Sequence, residues 1–324
     1  MTSNNPPSSL WQVDSAGPEH ALEIQKLFKS VFKQDMTPAQ WDWKYGNKRG
    51  VGVIVRNGDE IVAYYGGMER RTLLKSEAVC AVQCGDSMVA ESHRGTLSKR
   101  GPFYLSATSF LDKYVGINRP YLLSYGFPNA RAMRLAERLG IYAEVGTVVE
   151  VAWSAASSSA FRAEVFDYDS PDHAQCVEQL WSKMAAEFAD RTIGIRDLEY
   201  LRYRYHEHPE LSYDLHLVYR IADGGLIGLL VTRQIDDRLL LVDMVSAKGN
   251  MRDLAEFGRI LTAEANCREF YGWLTDVDCP LFADSSVEIR ESAVRLPISV
   301  FCEGLTAEEM QDSWFFMCGD SDFM

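Results

Sequence analysis

Between Val82 and Leu139 the chain alternates in a way that leaves few folds open. A β-rich run from Val82 to Ala90 is followed by a basic loop from Glu91 to Gly101. Apolar residues then recur at Phe103, Ala107, Phe110, Leu111 and Tyr114, which is helical spacing. Pro102 suits the first turn of that helix, where its missing N–H has no partner to lose. A short strand, Tyr121 to Ser124, and Gly-Phe-Pro-Asn lead into a second helix. The loop sets Arg94-Gly95 and Arg100-Gly101, with Lys99 between them, just ahead of a helix start. Free N–H groups and partial positive charge gather at a helix start, and glycine lets backbone approach an anion closely. This is the outline of a phosphate cradle; an ordinary strand-to-helix connection is the plainer reading, and the segment alone leaves both open.

The order of strand, Arg-Gly loop, helix, strand and then Asn129, Ala132, Leu139, Gly140 and Ile141 resembles the acetyl-CoA-binding half of the GNAT acyl-CoA N-acyltransferase superfamily over roughly residues 19 to 155. The resemblance implies that Arg94, Gly95, Lys99, Arg100, Gly101, Pro102 and Phe103 meet the pyrophosphate of CoA. It further implies that the backbone of Met88, Val89 and Ala90 pairs with the pantetheine arm, and that Asn129 and Met133 border the same ligand. Arg94-Gly95 and Arg100-Gly101 are spaced more widely than the family loop, so which pair meets the phosphates stays open.

Composition narrows the function classes. The formal charge is −13, which argues against nucleic acid, whose binding rests on basic residues neutralising phosphates. Arg94, Lys99 and Arg100 are a basic island in an acidic protein, suited to a small anion or to solvent. No run reaches the ~20 apolar residues of a membrane helix. Residues 1–18 read as a disordered tail with no signal peptide. Seven cysteines, an odd number without Cys-x-x-Cys spacing, read as reduced thiols of a cytoplasmic protein. His206-Glu-His208 precedes Pro209 in a loop and reads as surface polarity, so no metal is expected.

The same order of elements occurs twice. Helix 19–32, the aromatic segment Trp41-Asp-Trp43-Lys-Tyr45, and strands 51–56 and 60–69 split by Asn57-Gly58 precede strands 71–75 and 78–90, and a strand over 143–153 closes the half. After the small polar stretch Ser154 to Ala160 come helix 171–190, Leu201-Arg-Tyr203-Arg-Tyr205, strands 213–221 and 226–234, strand 239–245, a helix and strand 270–275. The expectation is an α/β (α+β) protein of two GNAT-like domains, residues 19–155 and 160–324, each a bent mixed sheet flanked by helices. The second copy has no Arg-x-x-Gly loop and no Asn-x-x-Ala helix, so it is expected to shape the substrate side without binding CoA.

Acyl transfer to an amine needs a polarised carbonyl, a base for the amine and a proton for the departing thiolate. Asp86, among mostly apolar residues, is the candidate base, with pairing to Arg70 or Arg71 as its structural alternative; Glu91 is a second candidate. Many family members carry a tyrosine acid where Ala136 stands here. Tyr125 and Tyr104 are the alternatives, with solvent as a third. Trp41, Trp43 and Tyr45 read either as acceptor-site lining or as core anchors. The functional expectation is an acyltransferase using acetyl-CoA or a related acyl-CoA on a small-molecule amine; the rival is a catalytically silent CoA-binding or protein-interaction module.

Overall fold

Apolar alternation and tight turns build two sheets in the computed structural model, which describes residues 11–94, 99–157, 160–282 and 287–322. The first half contains β1 (Gln12–Ser15), β2 (Gly50–Asn57), β3 (Glu60–Leu74), β4 (Glu77–Val89), β5 (Leu123–Tyr125) and β6 (Tyr142–Gly146). Among them lie α1 (Ala21–Phe32), α2 (Pro38–Tyr45), α3 (Pro102–Tyr114) and α4 (Ala130–Arg138). The chain continues through β7 (Val148–Ser154), β8 (Phe161–Val165), α5 (Pro171–Glu187), β9 (Thr192–Gly194), α6 (Leu198–Leu201) and a π-turn at Arg202–His206. It ends with β10 (Asp214–Arg220), β11 (Leu226–Ile235), β12 (Arg238–Ser246), α7 (Met251–Glu264), β13 (Glu269–Thr275), β14 (Glu288–Glu291), β15 (Leu296–Ser299) and β16 (Trp314–Phe315).

The first sheet has the order β1-β2-β3-β4-β5-β15-β6, and β9 and β16 extend it beside β3. The second has the order β14-β7-β13-β12-β11-β10-β8. Along these two orders each has one parallel pair, β4 with β5 and β12 with β13, among antiparallel neighbours; β16 runs parallel to β9 in the extension. Read from β1 and from β8, the two sheets match strand for strand, and in each the next-to-last place is filled by a strand of the other half. β15 lies antiparallel between β5 and β6, and β7 lies antiparallel between β13 and β14. The halves have exchanged a strand.

Several expectations change in detail. The strand over 143–153 is two strands that part at Thr147, β6 staying in the first sheet and β7 passing to the second. Apolar alternation runs on across Thr147, so the pattern carries no mark of the crossing. The passage between sheets therefore precedes the small polar stretch after Ser154. Part of the expected tail is ordered, because Gln12–Ser15 pairs with Val53–Arg56; residues 1–10 lie outside the described residues. Strands 60–69 and 71–75 are one continuous β3.

β15 is held by its core-facing side chains. Leu296 and Ile298 are buried against Tyr125, Val145, Trp314 and Phe316, and burying such a side chain is worth about 1.5–3 kcal/mol. Ile298→Ala is expected to cost ~2–4 kcal/mol by urea unfolding, in one transition that takes both halves together. A loss under ~0.5 kcal/mol, or a separate transition for the second sheet, would contradict the exchange.

Candidate active site

The site opens where two parallel strands part. β4 and β5 pair only at Ala81–Leu123, Val82–Ser124 and Gln83–Tyr125; β5 then ends, while β4 runs on to Val89. At the parting β4 carries a bulge. Its register with β3 passes from Gly66–Gly85 to Tyr64–Met88, so Asp86 and Ser87 together face Tyr65. Asp86 has φ +52, a left-handed conformation that aspartate tolerates better than most residues. The Ala90 N–H donates to the Val62 carbonyl, and antiparallel alternation therefore turns the backbone of Val89 to the open edge. Arg94 Nε donates to the Val89 carbonyl at 3.0 Å.

A cleft of about 1020 Å³ lies along this edge. α1 lines it with Phe28, Val31 and Phe32, and α4 with Arg131, Arg134 and Arg138, which share one helical face. Asn129 starts α4, its Oδ1 accepting from the Arg131 and Ala132 N–H groups at 3.1 and 3.0 Å. The second half adds His208, Glu210, Leu211, Arg233 and Asp322. Six basic side chains line the cleft, Lys44, Arg94, Arg131, Arg134, Arg138 and Arg233, against the carboxylates of Asp86, Glu210 and Asp322. In a protein of charge −13 the cleft is therefore locally positive.

At its floor Lys44 joins two buried carboxylates. Its Nζ is 2.9 Å from Asp86 and 2.6 Å from Asp322. Burial alone pushes a lysine pKa down, but the two aspartates outweigh it and hold Lys44 above its ordinary value. Burial likewise opposes ionisation of Asp322, yet Lys44 and Arg70 hold its carboxyl below the usual range. Tyr45 Oη donates to Asp86 at 2.6 Å, and Gln83 Nε2 donates to Asp322 at 2.6 Å. Asp322 comes close enough to β4 that a Cβ on Gly85 would stand 3.3 Å from its Oδ2. Tyr142 Oη meets Tyr65 Oη and lies 3.4 Å from Cys84 Sγ; burial pushes both phenols well above their ordinary pKa. Near the rim, His208 Nδ1 accepts from the Glu210 and Leu211 N–H groups, which leaves the proton on Nε2. Burial, and then Arg204, Arg233 and Lys44, lower its pKa to about 4, so the ring is neutral at pH 7.

The second half repeats this plan. β12 bulges at Val242, its register with β11 passing from Thr232–Leu241 to Val231–Asp243. Tyr205 Oη donates to the buried Asp243 at 2.7 Å, as Tyr45 does to Asp86. Arg196 supplies the cation at 2.7 Å. After each of β4 and β12 comes a 3₁₀ turn, Glu91–His93 or Lys248–Asn250, but α7 starts at once where α3 waits until Pro102. The Lys248 N–H donates to the carboxylate of Glu187 at 2.6 Å, so an internal anion already sits on that turn.

No family model matches the sequence, and no curated protein is similar to it. Solved structures are similar in fold. A conserved Enterococcus faecalis protein of unknown function, named a probable N-acyltransferase, superposes with TM-score 0.67 at 12% identity, over 89% of this chain and 72% of that one. A GCN5-related N-acetyltransferase from Kribbella flavida gives 0.64 at 15% over 89% and 70%. The N-myristoyltransferase of Saccharomyces cerevisiae, with myristoyl-CoA bound, gives 0.54 at 13% over 92% and 84%. This is the GNAT fold, built twice. On the GNAT fold the strand-to-helix and Asn129 elements stand as the sequence placed them.

The GNAT frame gathers some of the expected site residues and disperses others. Asp86, Met88, Val89, Arg94, Phe103 and Asn129 line the cleft. Ala90, Gly101, Pro102 and Met133 are buried beside it, and Lys99, Arg100 and Glu91 are exposed outside it; Gly95 lies outside the described residues. Tyr125 does not reach the cleft: its hydroxyl donates to the Asp320 carbonyl at 3.3 Å and its ring packs on Trp314. Tyr104 packs on Phe301. Asp86 has neither expected arginine as partner, since Arg70 binds Gln83 and Arg71 binds Asp197. Trp41 and Trp43 are buried anchors, with Trp43 Nε1 donating to the Tyr203 carbonyl at 3.0 Å across the two halves. Sequence reading missed Lys44, Arg233 and Asp322. Of these, only Lys44 left a signal, a lone cation within an aromatic run.

His208 allows a direct check. Its pKa lies below the ordinary ~6.5, so the stability it contributes is complete above about pH 6.5 and is lost as pH falls towards 4. An NMR titration is expected to place its midpoint near 4, and His208→Gln to flatten the fall in unfolding free energy over that interval. A midpoint near 6.5 would contradict the arrangement.

Proposed function

We propose that this protein is an acyl-CoA-dependent N-acyltransferase, acting in the cytoplasm on a small-molecule amine, with acetyl-CoA or a related acyl-CoA as donor. The observation that carries this reading is the open edge of β4 beside a locally positive cleft in an acidic GNAT-fold protein. The pantetheine arm pairs with the outward backbone of β4 near Val89, and its phosphates lie toward Arg94, Lys99, Arg100 and the start of α3. The arginine face of α4 extends that positive wall. The second half contributes side chains to the cleft and takes no donor, its equivalent turn being occupied by Glu187.

In this reading the amine nitrogen attacks the thioester carbonyl carbon, a C–N bond forms and the C–S bond breaks. The Asp86–Lys44–Asp322 cluster holds two carboxylates to one lysine, so it attracts the ammonium, and Asp86 accepts its proton. Tyr142, which lines the cleft beside Ala136, gives its proton to the departing thiolate and regains one from water. Its raised pKa keeps it protonated at pH 7.

Asp86→Asn is expected to keep the fold, because Lys44 retains Asp322 and the new amide oxygen still accepts from Tyr45. Thiol release from acetyl-CoA over a panel of amines should fall by ~10²–10⁴-fold while CoA affinity barely moves. Turnover within a few-fold of wild type would remove Asp86 from the mechanism. No thiol release by the wild-type protein with any amine, CoA binding intact, would leave a silent CoA-binding module.

Replacing Arg94 and Arg100 together by glutamine is expected to weaken CoA by ~2–4 kcal/mol in a calorimetric titration, since charge-assisted hydrogen bonds are worth ~1.5–3 kcal/mol each and need not add. Unchanged affinity would move the phosphates to the α4 arginines.

A further inference from the structure

Arg233 projects from β11 of the second half into the cleft of the first. It is half-buried, and among the described residues it has no ion pair and no hydrogen bond. Other arginines of the second half are matched differently: Arg238 lies 2.6 Å from both Glu150 and Glu269, and Arg196 lies 2.7 Å from Asp243 and Asp320. The nearby carboxylates are already engaged. Glu210 accepts from the Thr37 hydroxyl at 2.7 Å at the exposed rim, and Asp322 is held between Lys44 and Gln83. A guanidinium partly withdrawn from water without an acceptor leaves its fork of donors unsatisfied, and a carboxylate fits that fork with two parallel hydrogen bonds.

His208 ties this cation to the floor cluster. Its ionisation responds to Arg233 and also to Lys44 and Asp322, so the ring lies within reach of both groups. With Nδ1 occupied by two backbone N–H groups, Nε2 offers a further donor. Phe28 and Phe32, whose ring centroids are 4.8 Å apart, give the same cleft an apolar wall. An anion-holding fork, a neutral donor, an apolar wall and a pair of carboxylates able to take an ammonium thus face one cavity.

We propose that the acceptor is an amino acid with an apolar side chain, its carboxylate held by Arg233 and its amino group directed at the Asp86–Lys44–Asp322 cluster. The proposal deepens the acyltransferase reading and rests on it for the reaction, though not for the binding. The donor's phosphates and the acceptor's carboxylate then use separate cations, the α3–α4 side for one and the second half for the other.

The test compares L-phenylalanine and L-methionine with their amides, which keep the amine and the side chain but lose the anion. Calorimetric titration of the CoA-saturated protein is expected to show the acids binding at least tenfold tighter than the amides, and thiol release from acetyl-CoA to show the same ratio in kcat/KM. Arg233→Gln should abolish the preference and Arg233→Lys should restore part of it. The wild-type contrast and the lysine variant decide the matter even if the glutamine variant folds poorly. Equal binding of acids and amides by the wild type, or a preference that survives in a folded Arg233→Gln, overturns the proposal. Thiol release from the amides without any acid preference sinks this assignment and leaves the acyltransferase reading standing. Arg233-dependent binding of the acids without thiol release supports the anchor and removes the acyl-transfer reading.

Discussion

A strand between two others in a sheet cannot be withdrawn without stripping hydrogen bonds from both neighbours, and here that strand comes each time from the opposite half of the chain. β15 completes the first sheet and β7 the second. Unpaired strand edges are costly to bury and prone to wrong pairing when exposed, so neither half is a finished sheet by itself. The exchange also fixes the cleft. Because β15 is anchored in the first sheet, the chain after it is carried back across the first half, and Asp322 arrives beside β4 through a buried route of Trp314, Phe315, Phe316 and Met317. A carboxylate more than two hundred residues from Lys44 in sequence becomes its nearest anion.

The duplication provides an internal comparison for the floor cluster. Both halves bulge the same strand, and both place a tyrosine hydroxyl on a buried aspartate there. In both halves the cation is shared with a second carboxylate from the C-terminal segment, Asp320 on Arg196 and Asp322 on Lys44, but Asp243 is fully buried while Asp86 lines a cleft. The tyrosine–aspartate bond is thus part of how this bulge is held in either half. What distinguishes the first half is that its cluster of two carboxylates and one cation is open to a cleft.

Much of this was legible in the chain. Local periodicity located α1, α3, α4, α5 and the β2–β3 hairpin, because in these elements the spacing of apolar residues is set by one buried face. The aromatic echo, Trp41 to Tyr45 against Leu201 to Tyr205, marked the repeat, and its Trp43 and Tyr203 proved to be anchors between the halves. The strand exchange was not legible. β14, β15 and β16 are short strands whose partners lie more than a hundred residues away, and a strand's alternation says which face is buried, not which sheet it joins. The site divides along the same line. Residues of one continuous unit, such as Val89, Arg94 and Asn129, could be read together, whereas Arg233, His208 and Asp322 enter the cleft only through the long-range topology. Tyr125 is kept from the cleft for a related reason: Trp314 of the C-terminal segment, more than a hundred residues away in sequence, packs on its ring.

Glu187 has a consequence of its own. An anion site served by a dissolved molecule is filled only as far as that molecule's concentration permits, and its contribution to stability rises and falls accordingly. By resting one of its own carboxylates on the turn after β12, the second half has made that contribution permanent and independent of supply. The two halves therefore stand under different regimes. If the first half takes an acyl-CoA as proposed, its tightness follows the supply of that ligand, whereas the second half is a ballast whose tightness was settled when the chain folded.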